Sequence, residues 1–146
     1  MPCITIQFNP AIGPLINLGI AQPGAVKTAA AEGKPPAFEG CQALVDTGAS
    51  VTCISREIAQ KLELPPAGKM LMASASETRE MNSYLVDIAL PFGDPSAGVT
   101  SIVKSNMTVM EFEPNSQHYQ ALLGRDILDQ ALFSMTGYDN RFTICM

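Results

Sequence analysis

An acidic residue closes an apolar run in Leu44-Val45-Asp46-Thr47-Gly48-Ala49-Ser50, and this junction constrains the fold more than any other stretch of the chain. An aspartate at the end of an apolar strand is costly to bury unless it is hydrogen-bonded or holds a proton. Gly48 lets the backbone approach closely and turn amide groups toward the carboxylate. Thr47 adds a hydroxyl able to bond a neighbouring backbone. The residues from Phe38 to Val45 read as a strand that runs straight into this turn. Asp-Thr-Gly alone is a weak signal; the apolar run ahead of it gives it weight.

The rest of the chain reads as short strands. Eleven Gly and eleven Pro in 146 residues interrupt it often, while 47% hydrophobic residues argue for a packed core and against disorder. This length suits one domain, residues 1–146. Ile4, Ile6 and Phe8 alternate with polar residues, and Pro14 to Ile20 reads as a second strand. Residues 21–37, rich in Ala, Gly and Pro, are expected to form a mobile loop. Ser55 is placed to cap a short helix through Leu62, which Pro65-Pro66 stops. Met70 to Ala73 and Tyr84 to Leu90 read as two strands of a hairpin over 70–90, with Ser74-Ala75-Ser76 at its tip. A turn is expected over Gly93 to Gly98, and a long strand or bulged pair over Ser101 to Phe112. Ala121 to Leu123 is a short strand, followed by a second short helix through Ala131. Phe133 to Met135 and Phe142 to Cys145 read as closing strands around a turn at Tyr138-Asp139-Asn140.

Composition excludes several classes. A net charge of −5, with no Lys/Arg run, disfavours nucleic acid as a partner. No apolar stretch approaches the ~20 residues of a membrane span, and the start Met1-Pro2-Cys3 has no signal-peptide pattern, so the expected location is cytoplasmic. Cys3, Cys41, Cys53 and Cys145 form no CxxC pair and there is one histidine, which argues against a zinc site and for reduced, apolar thiols. His118 has no acid neighbour in sequence and reads as a surface residue; a Cys–His peptidase would need spatial support. Gly48-Ala49-Ser50-Val51-Thr52 is not a serine nucleophile elbow. Neither a metal nor a cofactor is expected.

A second stretch, Ala121-Leu122-Leu123-Gly124-Arg125-Asp126-Ile127-Leu128, reads by itself as a buried strand leading into a helix. Following Leu44 to Ala49 and the hairpin in this order, it makes the chain resemble the retropepsins, in their bacterial or cellular branch. The resemblance implies an all-β retropepsin-like acid protease fold with short helices. It also implies a homodimer that shares one active site and hydrolyses a polypeptide substrate. Asp46, Thr47 and Gly48 take the catalytic positions. Ala49, Ser74, Ala75, Ser76 and Leu123 take substrate-binding positions, and Gly124, Arg125 and Asp126 support the site. Apolar neighbours such as Leu123 and Ile88 suggest apolar side-chain pockets.

The family mechanism needs two carboxylates that share a proton and activate a water. This chain has one Asp-Thr-Gly, and Met135-Thr136-Gly137 carries Met where an acid would stand. The two carboxylates are therefore expected from two copies of Asp46 across a two-fold axis, with Thr47 bonding between protomers. Family dimers interleave their terminal strands, which would bring Cys3 and Cys145 to the interface; pairing of the two ends within one chain is the alternative. The chain departs from viral enzymes in its flap, which lacks glycine between Gly68 and Gly93, and in Ser50, where several viral enzymes carry an acid. Arg125 is then left to pair with Asp126 or a terminal carboxylate. The unusual flap supports a rival reading, a non-catalytic dimer that binds peptides or acts as a scaffold. A third reading is a monomeric, inactive domain.

Overall fold

Strands are the main element of the chain because its β-branched and aromatic residues alternate with polar ones between Gly and Pro breaks. The computed structural model describes residues 2–73, 75–92 and 101–146. The turn expected over Gly93 to Gly98 and the tip residue Ser74 lie outside them. The strands are β1 (Cys3–Gln7), β2 (Leu15–Ala21), β3 (Glu39–Val45), β4 (Cys53–Ser55), β5 (Gly68–Ala73), β6 (Thr78–Leu90), β7 (Ile102–Phe112), β8 (Ala121–Leu123), β9 (Leu132–Thr136) and β10 (Arg141–Cys145). Three short helices join them: α1 (Ala25–Ala31), α2 (Arg56–Lys61) and α3 (Arg125–Leu128).

Seven strands form one sheet in the order β2-β3-β8-β4-β7-β6-β5, and β2 also pairs with β6. Six strands thus close on themselves as a barrel, and β5 is left outside on β6. Ile16, Ile20, Ile54, Val86, Ile88 and Leu90 fill the barrel with at most 1% of their surface exposed. Burying each such side chain contributes roughly 1.5–3 kcal/mol. A second sheet, β1-β10-β9, covers one end. Its Phe142 ring lies between Phe8 and Phe133, each at 6.2 Å between centroids.

The helix expected from Ser55 is α2, and its first turn is capped as the sequence indicates: Ser55 Oγ accepts from the Ile58 amide. The loop expected over 21–37 is corrected at its centre, where α1 forms. Two causes act together. Ala25-Val26-Lys27-Thr28-Ala29-Ala30-Ala31 has high helix propensity. The fully buried Asp87 accepts from the amides of Gly24 and Val26 at the start of the helix. The same carboxylate accepts from Asn106 at 3.0 Å, beside the register shift where β6 and β7 lose step.

The chain ends also correct the expectation. They pair with each other: β1 runs antiparallel to β10, and Cys3 lies opposite Cys145 in a disulfide. Two of the four cysteines are therefore cross-linked rather than reduced, because the strand register sets Cys3 directly opposite Cys145. Cys41 and Cys53 are free and buried.

A non-reduced digest should yield a Cys3–Cys145 cross-linked peptide. Reduction should lower folding stability by about 2–4 kcal/mol in urea, because the bond closes nearly the whole chain. An unchanged urea midpoint after reduction would refute this.

Candidate active site

The end of β3 and the end of β8 meet, and this meeting positions Asp46. Val45 lies beside Leu123 in a parallel pair, and the Asp46 amide donates to the Leu123 carbonyl at 3.0 Å. The chain then turns: the Ala49 amide reaches back to the Asp46 carbonyl at 3.2 Å. The Gly48 amide donates to Asp46 Oδ1 at 2.9 Å. A Cβ on Gly48 would stand 3.1 Å from that oxygen, so glycine leaves the carboxylate room. Asp46 is partly buried, and Thr47 and Gly48 are exposed. The Thr47 hydroxyl has no partner among the described residues.

Gly124 fixes the crossing of the two motifs. A Cβ there would lie 2.6 Å from the Val51 carbonyl carbon and 2.8 Å from the Thr52 nitrogen, which are backbone atoms that cannot step aside. Thr52, fully buried, ties the crossing together: its hydroxyl accepts from the Gly124 amide and donates to Asp126 at 2.7 Å. Asp126 also accepts from the amides of Thr52 and Ile127, each at 3.0 Å. The Arg125 amide donates to the Ala49 carbonyl at 2.8 Å. Its side chain is exposed and forms no ion pair among the described residues, so Asp126 serves Thr52 and not Arg125.

A cleft of about 510 Å³ opens at the carboxylate. Asp46, Gly48 and Ala49 line it, together with Ser50, Val51, Cys53, Met110 and Leu122. β5 overhangs it with Leu71, Met72 and Ala73. β5 and β6 form the expected hairpin, but the tip residues Ala75 and Ser76 do not line the cleft; the strand before them does. Leu71 is 73% exposed although apolar.

Leu123 and Ile88 do not serve as pocket walls. Leu123 is 1% exposed and Ile88 fully buried, both inside the barrel, and Leu122 faces the cleft instead. On a strand adjacent residues take opposite faces, so the correction is a matter of parity. Period-two counting back from the core residue Leu123 would have found it. Thr52 was also missed; a polar residue between apolar neighbours in Val51-Thr52-Cys53 was the available signal.

Cys53 lies in the cleft wall. Burial, then the negative charges of Asp126 and Asp46, push its thiol up to about 12. Cys41 is pushed up to about 11 by burial and by Glu39. His118 is exposed. Among the described residues no cluster of three or more His, Cys, Asp or Glu could hold a metal ion. Among them, too, no helix is long and apolar enough to cross a membrane.

Residues 39–130 match the family described as "gag-polyprotein putative aspartyl protease". No curated protein matches the chain. Among solved structures, a retropepsin-like aspartic protease from Rickettsia conorii is similar at 18% identity, over 97% of this chain and 89% of its own, with a TM-score of 0.57. The retroviral protease-like domain of Ddi1 from Leishmania major aligns at 14% identity, over 89% of this chain and 87% of its own, with a TM-score of 0.42.

Gly124→Ala should cost about 1–3 kcal/mol or more by overpacking the crossing. Thr52→Val, nearly the same shape, should cost about 1–3 kcal/mol by stranding Asp126 and the Gly124 amide. Urea unfolding measures both; an unchanged midpoint in either variant contradicts the crossing as described. Iodoacetamide at pH 8 should label neither Cys41 nor Cys53 until the protein is denatured, since so little thiolate is present.

Proposed function

The chain belongs to the gag-polyprotein aspartyl protease family with a retropepsin-like fold, and from that premise we propose that it is an endopeptidase working through two copies of Asp46. The observation that carries the reading is the contrast among its carboxylates. Asp87 and Asp126 are each spent on three hydrogen bonds. Among the described residues Asp46 accepts one, from Gly48, which leaves its other oxygen for the cleft.

One Asp46 cannot act as both base and acid in the same step. Two carboxylates a few ångström apart hold one proton between them, because both cannot be charged at that distance. The ionised member takes a proton from a water as its oxygen attacks the scissile carbonyl. The protonated member donates to the carbonyl oxygen. As the tetrahedral species collapses, the carboxyl that took the water's proton gives it to the departing amide nitrogen, and the other carboxylate takes a proton back from the gem-diol hydroxyl that becomes the product's carbonyl oxygen. The exposed, unpartnered Thr47 hydroxyl beside Asp46 is suited to bonding across the two-fold axis.

The substrate would lie extended in the cleft. β5 is the outer strand of its sheet, so one edge of its backbone is open to pair with a peptide. Leu71, Met72, Met110 and Leu122 offer apolar contacts on either side. Apolar, uncharged residues around the scissile bond are the class this lining favours.

Asp46→Asn should lower cleavage of a mixed peptide library by at least about 10²–10⁴-fold, and a statine peptide should inhibit the unaltered protein. Cleavage that survives in Asp46→Asn would end the proposal. Peptide binding without turnover would establish the scaffold reading in its place.

A further inference from the structure

Strand register divides one side of the barrel into two rows. Cys53 of β4 stands beside Met110 of β7 and Leu122 of β8, and all three line the cleft at Asp46. Two residues along come Ser55, Phe112 and Gln120. Ser55 pairs with Phe112, and its amide donates to the Gln120 carbonyl at 2.8 Å. Residues two apart on a strand share a face and lie about 7 Å from each other. The second row is therefore on the same side as the cleft, and it lines a separate cavity of about 390 Å³.

This cavity differs from the cleft in its charge. Phe112 and Tyr119, whose rings lie parallel at 6.5 Å between centroids, give it an apolar wall together with Pro114. Glu57 and Glu113 also line it, with side chains 71% and 70% exposed. Arg56 is the cation among the lining residues, but Nε and one terminal nitrogen sit 3.3 and 3.0 Å from one oxygen of the buried Glu111. Its charge is thus matched from inside the wall. Glu57 and Glu113 are matched less well. Lys61 stands 3.6 Å from Glu57 and equally close to Glu39. Arg79 stands 3.7 Å from Glu113 and only 2.7 Å from Glu77. Exposed pairs of that length hold weakly and give way to a competing cation.

We propose that this cavity takes a lysine or arginine side chain of the peptide whose scissile bond lies at Asp46. The inference rests on the peptidase reading and narrows its substrate to peptides that are apolar at the bond and basic at one flanking position. Alternate side chains of an extended peptide point the same way at about 7 Å, which is the spacing of the two rows. A peptide with one side chain in the cleft therefore brings the side chain two positions away to the second cavity. The stem of a lysine or arginine is apolar and suits Phe112, Pro114 and Tyr119, while its head reaches the carboxylates. An acidic side chain would be repelled there by Glu57 and Glu113.

Peptides with apolar residues at the scissile bond and Lys, Arg, Leu or Glu at each flanking position in turn provide the test. At one position Lys or Arg should raise kcat/KM about 5–10-fold over Leu, chiefly through KM, and Glu should lower it. Added salt should shrink the preference. Glu57→Lys with Glu113→Lys should reverse it, so that the Glu peptide is favoured over the Lys peptide. The ratio of the two peptides within each protein is the readout, whatever the overall rate. Both side chains are exposed, so circular dichroism should show the variant folded. Glu32→Lys, outside both cavities, should leave the ratio as it was. Equal rates for Lys, Leu and Glu at every position overturn the proposal. So does a preference that survives the double substitution, or one that Glu32→Lys alters as much. Binding of the same peptides, followed by fluorescence anisotropy, separates the two readings. Cleavage without any preference leaves the peptidase standing and removes the basic subsite. Binding that favours Lys and reverses in the double variant, in a protein that never cleaves, leaves the subsite standing and removes the peptidase.

Discussion

Two stretches of backbone pass each other at Gly124 so closely that no side chain fits between them. Everything around Asp46 depends on that contact. The Thr52 hydroxyl works in both directions there, accepting from Gly124 and donating to Asp126. It locks the turn after β3 to the turn after β8. The Leu123 carbonyl and the Arg125 amide then hold Asp46 and Ala49 from the same side. The turn that carries Asp46 is thus held at both ends by backbone bonds to one short segment. Such a geometry resists drift, because shifting it would break several bonds at once.

Two buried acids, Asp87 and Glu111, show by contrast what this arrangement achieves. Asp87 serves the start of α1 and the irregular step of β7. Burial pushes Glu111 up, but hydrogen bonds from Arg56 and Tyr84 and the Arg56 charge outweigh it, so the carboxyl stays below its ordinary value. These groups are consumed by structure: removing a partner would leave a buried polar group unsatisfied, at about 1–3 kcal/mol each. Asp46 is only partly buried and, among the described residues, is not consumed in this way. The fold binds its backbone firmly and, among the described residues, engages its carboxylate through the Gly48 amide alone.

Much of this was legible in the sequence because strand alternation and turn residues act locally. The strand entering Asp46-Thr47-Gly48, the Ser55 cap and the Leu122 to Asp126 segment all depend on neighbours in the chain. What escaped depends on partners far away. α1 forms in an Ala-rich stretch once Asp87, more than sixty positions on by its bond to Gly24, receives its first amides. The Cys3–Cys145 bond spans 142 positions, and no local spacing announces it. Leu122 and Leu123 are chemically identical, so only the pairing of β8 with β3 and β4 decides which one faces the cleft.

Edges of sheets raise the same question of partners at the level of the whole molecule. Barrel closure through β2 and β6 removes two edges outright. The outer edge of β5 remains, but Lys69 stands on that strand and the cleft lies beneath it. β1 is bounded by Pro2 and cross-linked to β10. β9 has neither a charge nor a proline, and its Met135 is turned toward a core that ends too soon to cover it.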